Sequence, residues 1–217
     1  MSRWRRPPEA FSPKCWTPSA RSPSRDTHRP SRPAPTDLLK KVLPLEEALA
    51  RHRAAVVAFV ASAARTDSDA WTHPTAEGKW SPAQVAEHLL LAVQAVQGEL
   101  EQGSPMRFVL PAWKRFLLRR AVLPRLLATG RFPAGARAPR EIRPSLPTTS
   151  REEALRRLES AAAGFEAACR QAPRVEKLRL GHPYFGALPA TDLIRILAWH
   201  TLHHRAQLPG VAPSPPQ

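Results

Sequence analysis

The stretch 80-WSPAQVAEHLLLAVQAVQGEL-100 opens and continues as a helix. Ser81 and Gln84 have the spacing of a capping box, in which each side chain satisfies the other residue's backbone N–H. Pro82 falls on the first helical position, where a missing N–H is tolerated. Val85, His88, Leu89, Ala92, Val96 and Leu100 then fall along one face, and the helix is expected to end near Gly103. A histidine in the middle of an apolar stripe is the first chemical signal in the chain.

Three more segments carry the same kind of stripe. Upstream, Leu45 to Ala64 aligns Leu45, Leu49, Val56, Phe59 and Val60, with Pro44 expected at the helix entry. Downstream, Ser150-Arg151-Glu152-Glu153 is a second capping-box spacing, with acids at the positive end of the helix. Its stripe is Leu155, Leu158, Ala162, Phe165 and Cys169, and Pro173 stops it. The last segment, Ala190 to Leu208, aligns Leu193, Ile196, Leu197, His200 and His204 before Pro209-Gly210. No strand-length alternation stands out. Four amphipathic helices of this length predict an all-α chain, a four-helix bundle over residues 37–210.

The long connection, residues 104–149, is not plain loop. Trp113, Phe116, Leu117, Val122 and Leu126 alternate with Lys114, Arg115, Arg119, Arg120 and Arg125, which predicts one or two short basic helices broken at Pro124. Residues 1–36 hold eight prolines, many serines and no apolar periodicity, so disorder is expected there and at residues 211–217.

The 217-residue chain is long enough for one sizeable core, and its 25 prolines far outnumber its 9 glycines. Its formal charge is +15, but the excess sits in two places: +6 in residues 1–36 and +9 in residues 105–143. The remainder is neutral, and without the first 36 residues the net charge is +9. Arginine outnumbers lysine 27 to 6 beside heavy alanine and proline usage, a pattern that coding bias produces without selection for phosphate binding. Nucleic acid is therefore not an expected partner. Two distant cysteines, Cys15 and Cys169, suggest no disulfide framework. There is no secretory h-region and no apolar run near the roughly 20 residues that span a bilayer, so a cytoplasmic location is expected.

His200 and His204 are one turn apart on the inward face of the last helix, and His88 lies on the inward face of the second. Facing helices of bundles build metal sites in this way. Three neutral imidazoles make a ligand set for zinc with one position open, and imidazole also suits Ni, Fe or Cu. The competing reading is three core histidines, each bonded to its own partner; spacing alone leaves the two readings level.

The residues Trp80-Ser81-Pro82-Ala83-Gln84-Val85-Ala86-Glu87-His88-Leu89 resemble the W-S-x-x-Q-x-x-x-H-L opening of the second helix in DinB-like (YfiT-like) four-helix bundles. His200-Thr201-Leu202-His203-His204-Arg205-Ala206-Gln207-Leu208 resembles their closing H-x-x-x-H-R-x-Q. Gly181-His182-Pro183-Tyr184-Phe185-Gly186 is similar to the HPFFG signature of one branch, which also carries a basic insertion like residues 130–139. The resemblance spans residues 45–208. It implies a divalent metal held by His88, His200 and His204, with zinc first and Ni, Fe or Mn as alternatives. It also implies the chemistry of metal-dependent hydrolases or of thiol-dependent transferases and isomerases, with a small molecule as substrate and a low-molecular-weight thiol as a candidate co-substrate.

Around that set, Gln207 and Arg205 are weaker candidates for supporting the metal or the substrate. His203 is expected on a different face from His204, at the surface or behind the ligands. His182 is expected mainly to pack the chain against the bundle end. Pro189 stands where the branch usually has a Ser or Thr cap, and Ala206 replaces a frequent glycine. No carboxylate clearly joins the histidines, since Glu87 is rotated about 100° from His88. The basic insertion has three readings: a lid over the metal mouth, a membrane-surface helix, or, carrying most weight, a segment packed on the bundle or against a second subunit. A homodimer is among the partners considered; a membrane surface is not an expected one. The alternative to an enzyme is a bundle that binds metal or ligand without turnover; the third is a basic protein on nucleic acid or anionic membrane.

Overall fold

A computed structural model describes residues 35–103, 107, 110–133, 137–145 and 149–211, with side chains from Pro44 onward. They all belong to one compact unit, Ala34–Gln217. The tail expected over residues 1–36 lies outside the described residues except for Pro35 and Thr36, as does the C-terminal segment except for Val211. The described helices are α1 (Pro35–Ala63), α2 (Ser68–Thr72), α3 (Pro82–Gln102), α4 (Ala112–Ala121), α5 (Leu123–Thr129), α6 (Arg151–Gln171) and α7 (Ala190–Arg205). A hairpin of β1 (Arg179–His182) and β2 (Gly186–Pro189) precedes α7.

Four long helices form the bundle. α1 packs most extensively on α7 and α3 on α6, with α1 against α6 closing the group. One core layer joins Leu49, Val93, Val96, Phe165, Leu193 and Leu197. A second joins Val56, Phe59, Leu89, Leu158 and Trp71 of α2. The connection between α3 and α6 adds a third, in which Leu123 and Leu126 of α5 meet Phe185, Leu188 and Ile196.

The helix starts follow their sequence signals unequally. At α3 the box is complete: Gln84 N–H donates to Ser81 Oγ at 3.3 Å and Ser81 N–H donates to Gln84 Oε1 at 3.0 Å. At α6 only half forms, because Ser150 Oγ accepts from Glu153 N–H while the Glu153 carboxylate is taken by Arg156. Pro44 does not open α1. The helix begins at Pro35, ahead of the expected Leu45, and carries Pro44 inside it. Good helix formers on both sides of the proline offset its one lost backbone bond. Among the insertion helices, α4 and α5 part at Val122, so Pro124 falls in the first turn of α5, where it is tolerated.

The bundle is as expected, but the connection between α6 and α7, where no strand stood out in the sequence, holds this short hairpin. Its register is antiparallel, with Arg179 opposite Pro189 and His182 opposite Gly186. Leu180 and Leu188 pair and are both buried, which gives each short strand its anchor. The turn is closed by a side chain: His182 Nδ1 accepts from Tyr184 N–H at 3.2 Å and Phe185 N–H at 3.3 Å. Gly186 leaves the turn at φ +74°, a left-handed conformation that glycine adopts without steric cost. Pro189 supplies no side-chain cap to α7, but as the last residue of β2 it holds the helix start, where Ala190 N–H donates to Leu178 O at 3.0 Å.

Candidate metal centre

The histidine pair follows from helix geometry, and the third histidine comes from across the bundle. His88 and His204 are buried and His200 is half-buried. The Nε2 atoms of His88 and His200 lie 3.1 Å apart, and those of His204 and His200 3.0 Å apart. Candidate donor atoms of all three lie within 4.8 Å of one another. No acid or cysteine joins this group among the described residues.

Hydrogen bonds behind the rings decide which nitrogen faces inward. A carbonyl oxygen only accepts, so the 2.6 Å contact of His88 Nδ1 with Ile142 O makes Nδ1 the protonated nitrogen. His204 Nδ1 likewise donates to Gln207 Oε1 at 2.8 Å. Both residues therefore present an Nε2 lone pair to the centre. Without a cation, His200 satisfies both neighbours only as one Nε2–H shared between two acceptors. A divalent ion would be held by all three imidazoles through their Nε2 lone pairs. Tetrahedral Zn–N bonds of about 2.0–2.1 Å place imidazole nitrogens about 3.4 Å apart, a few tenths of an ångström wider than these contacts. The residues would fit such an ion in donor type, in the tautomer of His88 and His204, and in the spacing of His200 to each of them.

Electrostatics keep the donors neutral. Burial pulls His204 down to about 3, and the positive charge that His88 would carry adds to this against the small support of Gln207. Burial, then the neighbouring imidazoles, hold His200 well below the ordinary histidine range. His88 is also lowered by burial, against the Ile142 bond. Neutral imidazole is the form that ligates a metal.

Aromatic rings wall the site. Trp80 lies 4.8 Å from the His88 ring and stacks at 6.3 Å on His204. Phe132 lies 5.7 Å from His200 and 5.4 Å from His203. The insertion thus enters the site twice, with the Phe132 ring and the Ile142 carbonyl. It is held there by Gly130, at φ +64°, whose added Cβ would meet Trp199 Cε3 at 2.6 Å. Ser145 Oγ also donates to Glu87 Oε1 at 2.8 Å, so the acid beside His88 is engaged away from the centre.

The weaker candidates separate by place. Gln207 bridges two histidines: its Oε1 accepts from His204 and its Nε2 donates to His203 Nε2 at 3.1 Å. His203 is exposed, on a different face from the buried His204. Arg205 Nε donates to Ser62 Oγ at 2.8 Å, tying the end of α7 to α1. His182 caps the hairpin turn and stacks on Phe185 at 4.6 Å. The sequence alone did not single out Phe132 or Ile142. The run Gly130-Arg131-Phe132-Pro133 was the available signal for Phe132; a backbone carbonyl leaves no mark in a sequence.

Fold and site together define a four-helix bundle with three converging imidazoles at its centre. The sequence model of the DinB superfamily matches residues 48–208, and the chain belongs to that superfamily. Among solved structures it is similar to TT2238, a four-helix bundle protein, at 24% identity over 74% of this chain and 94% of that one, with a TM-score of 0.48. It is also similar to the mycothiol-dependent maleylpyruvate isomerase, at 14% identity and a TM-score of 0.51, over 77% of this chain but only 62% of that one. A further likeness is to YfiT from Bacillus subtilis, described as a probable metal-dependent hydrolase with an unusual four-helix bundle topology, at 15% identity over 82% and 87% of the two chains, with a TM-score of 0.42. No curated protein matches the chain. No described helix is long and apolar enough to cross a membrane.

Proposed function

We propose that this protein is a metal-dependent enzyme acting on a small molecule, a hydrolase or a thiol-dependent transferase, with zinc as the first candidate metal and Ni, Fe or Mn as alternatives. The observation that carries the reading is the inward convergence of three neutral imidazole nitrogens, two of them locked in the ligating tautomer. A divalent ion bound there supplies Lewis acidity and lowers the pKa of a coordinated water or thiol.

The chain's own residues do the rest. Ile142 O and Gln207 Oε1 hold the rings of His88 and His204 in register. Trp80 and Phe132 exclude water from two sides of the cluster. Three neutral donors leave the charge of the ion uncompensated, and the connection carrying Phe132 is strongly basic, which favours an anionic substrate or a thiolate.

The test is turnover by metal-loaded protein against a panel of ester and amide substrates and of thiol-plus-electrophile pairs. Activity that disappears in His200→Ala and in metal-stripped protein, and returns on metal addition, supports the reading. Loaded protein that turns over none of them favours the binding bundle, a second reading drawn from the lack of a carboxylate in the described cluster.

A further inference from the structure

The helix α4 has no buried residue. Trp113, Phe116 and Leu117 are 62%, 61% and 54% exposed, and the only other large apolar side chain so exposed among the described residues is Val57 of α1. At positions i, i+3 and i+4 they form one stripe. The helix is nonetheless fixed in place from its opposite side. Leu118 packs toward the layer of α5 and the hairpin, and Arg119 Nη1 donates to Ala187 O of β2 at 3.3 Å. The outward stripe is therefore presented by a held helix and is not left over from packing on the bundle.

The charge around the stripe has one sign. The ten residues of α4 include Lys114, Arg115, Arg119 and Arg120 and no acid. Lys114 Nζ lies 5.2 Å from the Trp113 ring and Arg120 Cζ 6.0 Å from the Phe116 ring, so cations flank the apolar side chains directly. The surrounding residues 105–143 carry +9. A second copy of this face would bring these cations against their own kind. An anionic bilayer instead offers acyl chains for the stripe and negative headgroups for its flanks.

We propose that α4 is an interfacial helix that seats Trp113, Phe116 and Leu117 in an anionic lipid surface, with Lys114 and Arg120 on the headgroups. Charge complementarity moves this reading ahead of packing on the bundle, which the sequence alone favoured.

The test is co-sedimentation of the full chain with phosphatidylcholine vesicles and with vesicles also containing about one-third phosphatidylglycerol, at about 150 mM salt. Binding to the anionic vesicles alone is expected. It should fall at least about tenfold in the triple variant Trp113→Ser, Phe116→Ser, Leu117→Ser, which keeps every charge, and in Lys114→Glu/Arg120→Glu, which keeps the stripe. Far-UV circular dichroism and an unchanged melting temperature establish that both variants fold. Equal binding by the triple variant would assign retention to charge elsewhere in the chain and overturn the proposal. So would absence of vesicle binding, including the case where the triple substitution abolishes a dimer seen by light scattering or binding to an acidic protein.

Discussion

Two regions of this bundle bury histidine and do different things with it. His52 of α1 is as deeply buried as His88, and burial pulls its pKa down to about 4 despite the opposing charge of Glu166. It meets Phe165 edge-on at 5.7 Å, and its Nε2 has no hydrogen-bond partner. Nearby, Glu166 is paired with Arg53 and Arg170, so the adjacent charge is already compensated. At the centre formed by α3 and α7, the same desolvation acts on three rings whose Nε2 atoms converge and whose Nδ1 atoms are tied in two of three cases. Burial and a depressed pKa therefore do not mark a ligand. Convergence with the tautomer fixed from behind is what sets the second region apart.

The sharpest break in the comparison is substitution. His200→Ala should abolish stoichiometric metal binding, whereas His52→Leu should leave it intact; calorimetric titration with zinc separates the two. A metal present at about one hundred times its Kd should stabilise the parent by about 2.7 kcal/mol, roughly 5–10 °C in Tm, and His200→Ala should lose the whole gain.

Of similar size is the pH dependence of the metal-free protein. The folded pKa of His52, about 4, lies below its ordinary 6.5, so the unfolded chain takes up the proton first as pH falls. Stability should therefore decline from about pH 6.5 to about 4 and be level in this respect above and below, a total of about 3 kcal/mol from this residue. Denaturant unfolding of His52→Leu should show a shallower decline over that window. An unchanged profile would mean that His52 is not held neutral.

Smaller again, Gln207→Ala frees the Nδ1 side of His204 and should weaken metal binding about 10–100-fold while leaving the stoichiometry at one. His203→Ala, which touches the cluster through Gln207 and edge-on against the His204 ring at 5.4 Å, should weaken it less. The smallest effect belongs to the His52 side. Arg53→Ala leaves Glu166 its bond to Arg170, and thermal melts should barely move.

Legibility in the sequence followed the range of the interaction. The start of α3 was readable because Ser81, Pro82 and Gln84 act within one turn. The pairing of His200 with His204, and its likeness to a known closing motif, were readable for the same reason. The hairpin was not, because strands of four residues give too little alternation and the turn depends on His182 reaching forward to two backbone N–H groups. The extension of α1 past Pro44 was missed because proline is a strong but not absolute breaker. The back of the histidine cluster was hidden for a different reason. Ile142 contributes a carbonyl from 54 residues away, and Phe132 depends on where α5 ends against Trp199.

The central claim is that His88, His200 and His204 act together as one ligand set. Elemental analysis of protein made without a histidine tag, beside His88→Ala, His204→Ala and His52→Leu, tests it most directly. One equivalent of metal in the parent and in His52→Leu, and none in the other two, is the predicted result. A parent that stays empty and refuses added Zn, Ni, Mn and Fe would contradict the account and leave all four histidines as residues of the core.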